Sequence, residues 1–175
     1  INAVCTSRGG TAGLFVGDYL EAHRAGVEMA KKVYATEVPE DIDVGIFNAY
    51  PEDTEFLQCG KALNVWVDPD KDLVKKGGSV VVTTAATEGR GTHYLMDVGM
   101  KLFQKADRRT AVAKKMAGRH LTFFSPTITA AEVRDRYDGD VSFFSKWKQL
   151  IEELSGSHGA GTHAVVFPYC SLQYL

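Results

Sequence analysis

Little in this sequence would staple the chain, carry it through a membrane or attract a polyanion. Cysteine occurs three times, as Cys5, Cys59 and Cys170. The number is odd and no C-x-x-C spacing occurs, so neither a disulfide framework nor a zinc site is expected from them. They read as small core residues and point to a reducing, cytoplasmic compartment. Proline is scarce, with 5 residues against 17 glycines, and 45% of the residues are apolar. That composition excludes low-complexity disorder and collagen. No charge sign dominates: 20 basic residues against 22 acidic ones give −2, so no global field favours nucleic acid or an anionic membrane. Apolar runs are short, as in Val80-Val81-Val82 and Ala164-Val165-Val166-Phe167, far from the ~20 residues a bilayer span needs. The chain starts at Ile1 with no charged leader before an apolar stretch, so no signal peptide is expected. A start on a strand-like run without Met reads as a piece cut from a longer protein.

What is present is a soluble α/β pattern. At 175 residues the length is a prior for one domain, burying roughly two thirds of its unfolded surface. A β-type run over 1–5 leads into a Gly-rich turn, Arg8 to Gly13. A helix is expected from Asp18, a good N-cap, with Leu20, Ala22, Val27, Ala30 and Val33 near 3.6 spacing and Pro39 beyond its end. Val44 to Phe47 suits a strand buried on both faces. A helix from Asp53 or Thr54 to Asn64 follows, interrupted at Asp68-Pro69-Asp70. Strands are expected at 79–84, 120–124 and 162–167, and helices at 92–105, 108–117, 130–137 and 143–154. Strands that read as runs, alternating with helices, describe a three-layer, Rossmann-like domain: a mainly parallel sheet with helices on both faces. Residues 1–38 read as a lead-in from a preceding domain.

Ligands of such sheets gather beyond the carboxyl ends of the strands. Three loops sit there: 48–54, 86–92 and the stretch from Pro126. In the first, Asn48, Tyr50 and Asp53 precede Gln58 and Lys61, which share one helical face at three-residue spacing. A helix start also offers N–H groups to an anion, and a Lys with a Gln donor beside it suits a carboxylate. On spacing alone a solvated helix face is the stronger account of a Q-x-x-K pair. Glu88-Gly89-Arg90-Gly91 could turn N–H groups toward an anion, although a turn needing positive φ is favoured. Arg90 and His93 are further candidates for a cleft. No histidine pair has metalloprotease spacing, and His158 with His163 makes a poor metal site without a third ligand. No catalytic residue and no metal ligand is assigned. Seven Lys and Arg between Lys101 and Arg119 read as solvated helix faces rather than a nucleic-acid patch, because only Phe103 interleaves them.

These residues resemble a family. Gly17-Asp18-Tyr19-Leu20-Glu21-Ala22-His23 is similar to the G-D-x-x-x-A-H segment of nickel-dependent lactate racemases. Asp43 to Asp53, followed by Gln58-Cys59-Gly60-Lys61-Ala62-Leu63, resembles that family's D-V-V-I-x-x-x-Y-P-x-D and Q-x-x-K-A-L motifs. Val74 to Gly78 and Glu88 to Gly91 continue in the same order, so the match runs over residues 14–91 and loosens beyond about 120. The resemblance implies the substrate-binding C-terminal domain of a 2-hydroxy-acid racemase or epimerase, inactive alone. It implies an N-terminal catalytic domain as partner, bearing a nickel pincer nucleotide and the acid and base histidines. It carries substrate binding onto Gln58 and Lys61, with Tyr50 in the same motif. Leu57 departs from it, since the lactate enzymes have Tyr there. Two other readings stay open: a Rossmann-like methyltransferase, with the 8–13 stretch as its cofactor loop, and a non-catalytic binding or oligomerisation domain.

Overall fold

The computed structural model describes residues 1–67, 72–91, 111–137 and 139–175. They fall into two compact units, residues 1–38 with 172–175, and residues 39–171.

In the first unit, β1 (Asn2–Cys5) pairs antiparallel with β2 (Thr11–Phe15). The Gly-rich stretch expected as one long turn is thus a short turn, closed by Thr6 N–H to Gly10 O at 2.7 Å, and a strand. Helix α1 (Tyr19–Tyr34) starts where expected, because the Asp18 carboxylate accepts from the Leu20 and Glu21 N–H groups at 3.0 and 3.2 Å. Ala22 and Gly26 form its buried face. Residues 172–175 return to this unit, with Tyr174 N–H donating to Tyr34 O at 2.9 Å.

The second unit is a five-stranded sheet, all parallel, of β3 (Ile42–Asn48), β4 (Val74–Thr83), β5 (His120–Phe124), β6 (Val141–Phe144) and β7 (Ala164–Phe167). Their order is β6-β5-β4-β3-β7. The valines 80–82, read as a run buried on both sides, are fully inaccessible, as a sheet sandwiched between helices requires. On one face Val44, Val81 and Leu150 form a cluster joined by Ile46, Phe124, Phe144 and Leu154. Leu150 and Leu154 come from α6 (Trp147–Ser157). On the other face Phe47 stacks between Phe167 and Trp66, with ring centres 4.7 and 5.8 Å away. Phe123 meets Phe56 and Tyr137. That face is covered by α2 (Phe56–Cys59), a 3₁₀ turn (Gly60–Leu63), α3 (Asn64–Val67), α4 (Ala111–Met116) and α5 (Ala130–Arg136). The three-layer α/β architecture is therefore present. No helix of the described residues is long and apolar enough to cross a membrane.

Three expectations are corrected. The helix expected over 143–154 begins only at Trp147. Val141–Phe144 is the edge strand β6, whose Phe143 and Phe144 pair with Phe123 and Phe124. Aromatic residues in a short run satisfy a sheet edge as well as a helix face. The single helix expected from Asp53 is three short pieces beginning at Phe56. Strand β4 begins at Val74, ahead of the glycines, and Gly77 at φ 79° takes up an irregularity in the pairing with β3. The helix expected over 92–105 lies outside the described residues.

One ion pair at the amino ends of the strands yields a pH prediction. Asp43 Oδ1 lies 2.7 Å from Lys75 Nζ, and Oδ2 accepts from the His163 N–H at 2.8 Å. Lys75 first, and then that N–H, holds the Asp43 carboxyl below its usual range. The linked stability is complete above the unfolded carboxyl value, roughly pH 3.9, and is lost as pH falls through the lower folded value. Asp43→Asn should therefore flatten the acid limb of a plot of melting temperature against pH. An acid limb of unchanged steepness removes Asp43 from that dependence.

Candidate functional site

The carboxyl ends of β3 and β4 are tied together by one side chain. Asn48 Oδ1 accepts from Thr83 Oγ1 at 3.2 Å, and its Nδ2 donates to Pro168 O, just past β7, at 3.1 Å. The chain then turns through a cis Tyr50–Pro51 bond, closed by Glu52 N–H to Ala49 O at 2.8 Å. Within this turn Asp53 lines a cleft and Glu52 reaches Lys61.

Lys61 stands on the 3₁₀ turn, half-exposed, with its Nζ 3.0 Å from Glu52 Oε2. Gln58 lies one helical turn before it on α2, half-buried. Leu57, where the resembling family carries Tyr, is buried and faces the core. Cys59 is buried beside Tyr137, and burial pushes both the thiol and the phenol above their usual ranges. Neither offers a reactive group at neutral pH. Burial likewise pushes the Cys170 thiol up to about 12.

The cleft has a volume of about 510 Å³ and sits where open parallel sheets bind ligands. Its polar rim is made by Asn48, Asp53, Thr83 and Thr84 at the strand ends. Its apolar wall is made by Ile46, Phe124, Trp147 and Val166. Trp147 is 45% exposed and lies edge-on to Phe124, with ring centres 5.2 Å apart. The Asp53 backbone oxygen is bonded, accepting from Thr84 Oγ1 at 3.3 Å and Ala86 N–H at 2.7 Å. Its half-buried carboxylate has no hydrogen-bond or ion-pair partner among the described residues.

At the two places where the sequence could offer N–H groups to an anion, four of the donors are already bonded. The N–H groups of Phe56 and Leu57 at the start of α2 donate to Gly89 O and Arg90 O at 2.9 and 3.1 Å. Those of Glu88 and Gly89 donate to Thr54 O and Ala86 O, each at 2.8 Å. The two loops are laced to each other, and these four donors are taken. The 88–91 stretch is the turn, as favoured from sequence, with Gly89 and Gly91 at φ 68° and 78°. At Gly91 a side chain would also collide with Glu55, so only glycine fits.

The structure therefore brings Asn48 and Asp53 to the cleft and places Lys61 and Gln58 on the helical segment that follows. Tyr50, 46% exposed, packs edge-on to Tyr169 at 5.6 Å. Glu88 is exposed. Arg90 lines a crevice with Glu132 and Asp135 of α5 and does not line the cleft. His93 lies outside the described residues. Sequence reasoning missed Thr83, Thr84 and Trp147. The strand-end rule would have found Trp147 had β6 been recognised, since it lies three residues past that strand. His158 and His163 do not join as ligands. His158 Nε2 meets Ser79 Oγ at 2.8 Å, whereas His163 meets Asp43 through its backbone. Among the described residues no three His, Cys, Asp or Glu side chains converge to hold a metal ion. The 8–13 stretch, needed as a cofactor loop by a methyltransferase, belongs to the β1–β2 hairpin and follows no strand of the parallel sheet.

No family model matches the chain, and no curated protein matches it. Among solved structures it is similar to the lactate racemase apoprotein from Thermoanaerobacterium thermosaccharolyticum, with a TM-score of 0.67 and 15% sequence identity. The similarity covers 98% of this chain and 44% of that one, so the chain spans less than half the length of the solved protein. At that identity the likeness is one of fold: the chain folds like part of a lactate racemase.

Proposed function

We propose that this chain is the substrate-binding half of a 2-hydroxy-acid racemase or epimerase. The observation that carries the reading is the Lys61–Glu52 contact at 3.0 Å. A half-exposed ammonium already holds a carboxylate in the turn that builds the cleft. A substrate carboxylate would take the place of Glu52, exchanging one charge-assisted contact for another. Gln58, one turn away, orients the same carboxylate or the neighbouring hydroxyl. The likeness of fold and the motifs around Tyr50, Gln58 and Lys61 support this assignment.

In this reading the longer protein has an N-terminal catalytic domain, which carries the nickel pincer nucleotide and the acid and base. The described residues of this chain supply no cluster of metal ligands, and no chemical step is assigned to them. Their work is to bind and orient the acid.

Calorimetric titration of the chain with a 2-hydroxy acid tests the reading. Saturable heat is expected, and it is lost in Lys61→Ala. Equal binding by the two forms would remove Lys61 from the site and leave a non-catalytic binding domain as the better account.

A further inference from the structure

The β1–β2 hairpin carries α1 on one face and leaves an apolar face open on the other. We propose that this open face packs against an apolar helix face of the N-terminal catalytic domain, so that residues 1–38 build into that domain's core. The proposal rests on the reading of this chain as one half of a longer enzyme.

Strand alternation assigns the two faces. Asn2 and Val4 of β1 point to α1: the Asn2 amide donates to Ala22 O at 3.2 Å, and Val4 is buried. Gly13 and Phe15 of β2 point the same way, since a side chain at Gly13 would meet Met29 of α1. The residues between them face outward. Ala3 is paired with Leu14, Cys5 lies two places further on, and Ile1 and Val16 continue the alternation at the strand ends. Leu14, Val16 and Ile1 are 62, 71 and 91% exposed, and Ala3 and Cys5 are exposed as well. Thr11, paired with Cys5 beyond an irregularity in register, ends the face with a hydroxyl. The other five carry no charged or polar group beyond a thiol. An antiparallel sheet with one face in water shows polar residues there; this hairpin shows apolar ones, the mark of a covered surface.

Four observations name the cover. A two-stranded sheet is not stable alone in water, and residues 1–38 with 172–175 stand near the lower size limit of an independent core. The open face therefore belongs to a larger body. A second copy of the chain is too weak a cover, because separate proteins need roughly 20–30 residues a side and this face offers five. A domain tethered in the same protein needs far less, since the tether supplies a high effective concentration. The solved lactate racemase of like fold has room for such a domain, because this chain matches only 44% of its length. A helix is the fitting surface, since a sheet that carries α1 on one face completes its layers with a helix on the other.

Cys5 reports on this face without any substitution, because Cys59 and Cys170 are buried. Alkylation by iodoacetamide is followed by mass spectrometry on the peptide that carries Cys5, in this chain alone and in the longer protein. Cys5 should react at one rate at every concentration of the chain alone, and about a hundredfold or more slowly in the longer protein. Leu14→Asp should leave the melting temperature of the chain alone unchanged. In the longer protein it should lower that temperature by several degrees and restore the reactivity of Cys5. Equal Cys5 rates in the two proteins overturn the proposal, as does a Leu14→Asp form in which Cys5 stays protected. Protection that grows with the concentration of the chain alone gives the face to a second copy and overturns it too. The hydroxy-acid titrations decide the function separately: protected Cys5 in a protein that binds no such acid keeps the packed face and removes only the racemase reading.

Discussion

On the proposed function, replacing Lys61 with alanine should lower kcat/KM for a 2-hydroxy acid by about 10²-fold in a protein that pairs this chain with a catalytic domain. A charge-assisted contact to a carboxylate, partly desolvated in the closed site, contributes on the order of 2–4 kcal/mol. The loss has a second source in this chain. Removing the ammonium leaves the Glu52 carboxylate, now 3.0 Å from Lys61, unpaired beside the place an anionic substrate must occupy. Glu52→Gln separates the two contributions. It frees Lys61 from its resting partner and should tighten substrate binding by a few-fold, a change opposite in sign. Steady-state kinetics on the two single variants and the double variant decide the matter. A loss below about threefold in Lys61→Ala removes that residue from the site.

Arg119→Met should lower the free energy of unfolding by about 2–4 kcal/mol, measured as a shift in the urea midpoint with the slope unchanged. The guanidinium is fully inaccessible and serves several elements at once. Its Nε donates to Val74 O at the start of β4 at 2.6 Å, and its Nη1 to Lys115 O on α4 at 2.7 Å. Its centre lies 5.0 Å from the Trp66 ring, the ring that stacks on Phe47. Nη2 comes within 2.9 Å of Asp72, short of good hydrogen-bond alignment yet close enough to hold that carboxyl below its usual range. Methionine fills much of the volume but removes the donor from the buried Val74 carbonyl and from the partly buried Lys115 carbonyl. Arg119→Lys keeps the charge and cannot reach both carbonyls, so it should lose most of the same stability. A midpoint unchanged in both variants overturns this account. The proposed carboxylate site at Lys61 should keep its affinity in both, which separates folding from binding.

Arg119 also shows what a sequence hides. It was one of seven cations in a run whose bulk reads as a solvated helix face. Nothing in spacing distinguishes the member that turns inward beneath a tryptophan. The strands 120–124 and 162–167 were legible to within two residues, because each is a short run of apolar and β-branched residues bounded by turn residues. Asp18 was legible because capping is local. The segment 141–157 was not, since Phe143 and Phe144 fit either period until pairing with β5 decides. At the site, Asn48 and Asp53 were found through the strand-end rule. The loss of the helix-start and turn donors was invisible, since it depends on two loops about thirty residues apart lacing together. Trp147 was missed for the same reason as β6.

The pairing of β3 with β7 sets a condition on how this chain is made. Asp43 and His163 are 120 residues apart, as are Asn48 and Pro168, and these contacts close the two ends of the β3–β7 seam. A ribosome adds that many residues in on the order of ten seconds, and throughout that time β3 has no partner on that side. An unpaired strand edge is a template for the wrong chain. Asp43 sets a charge at the start of that edge, and charge on a strand edge disfavours such pairing.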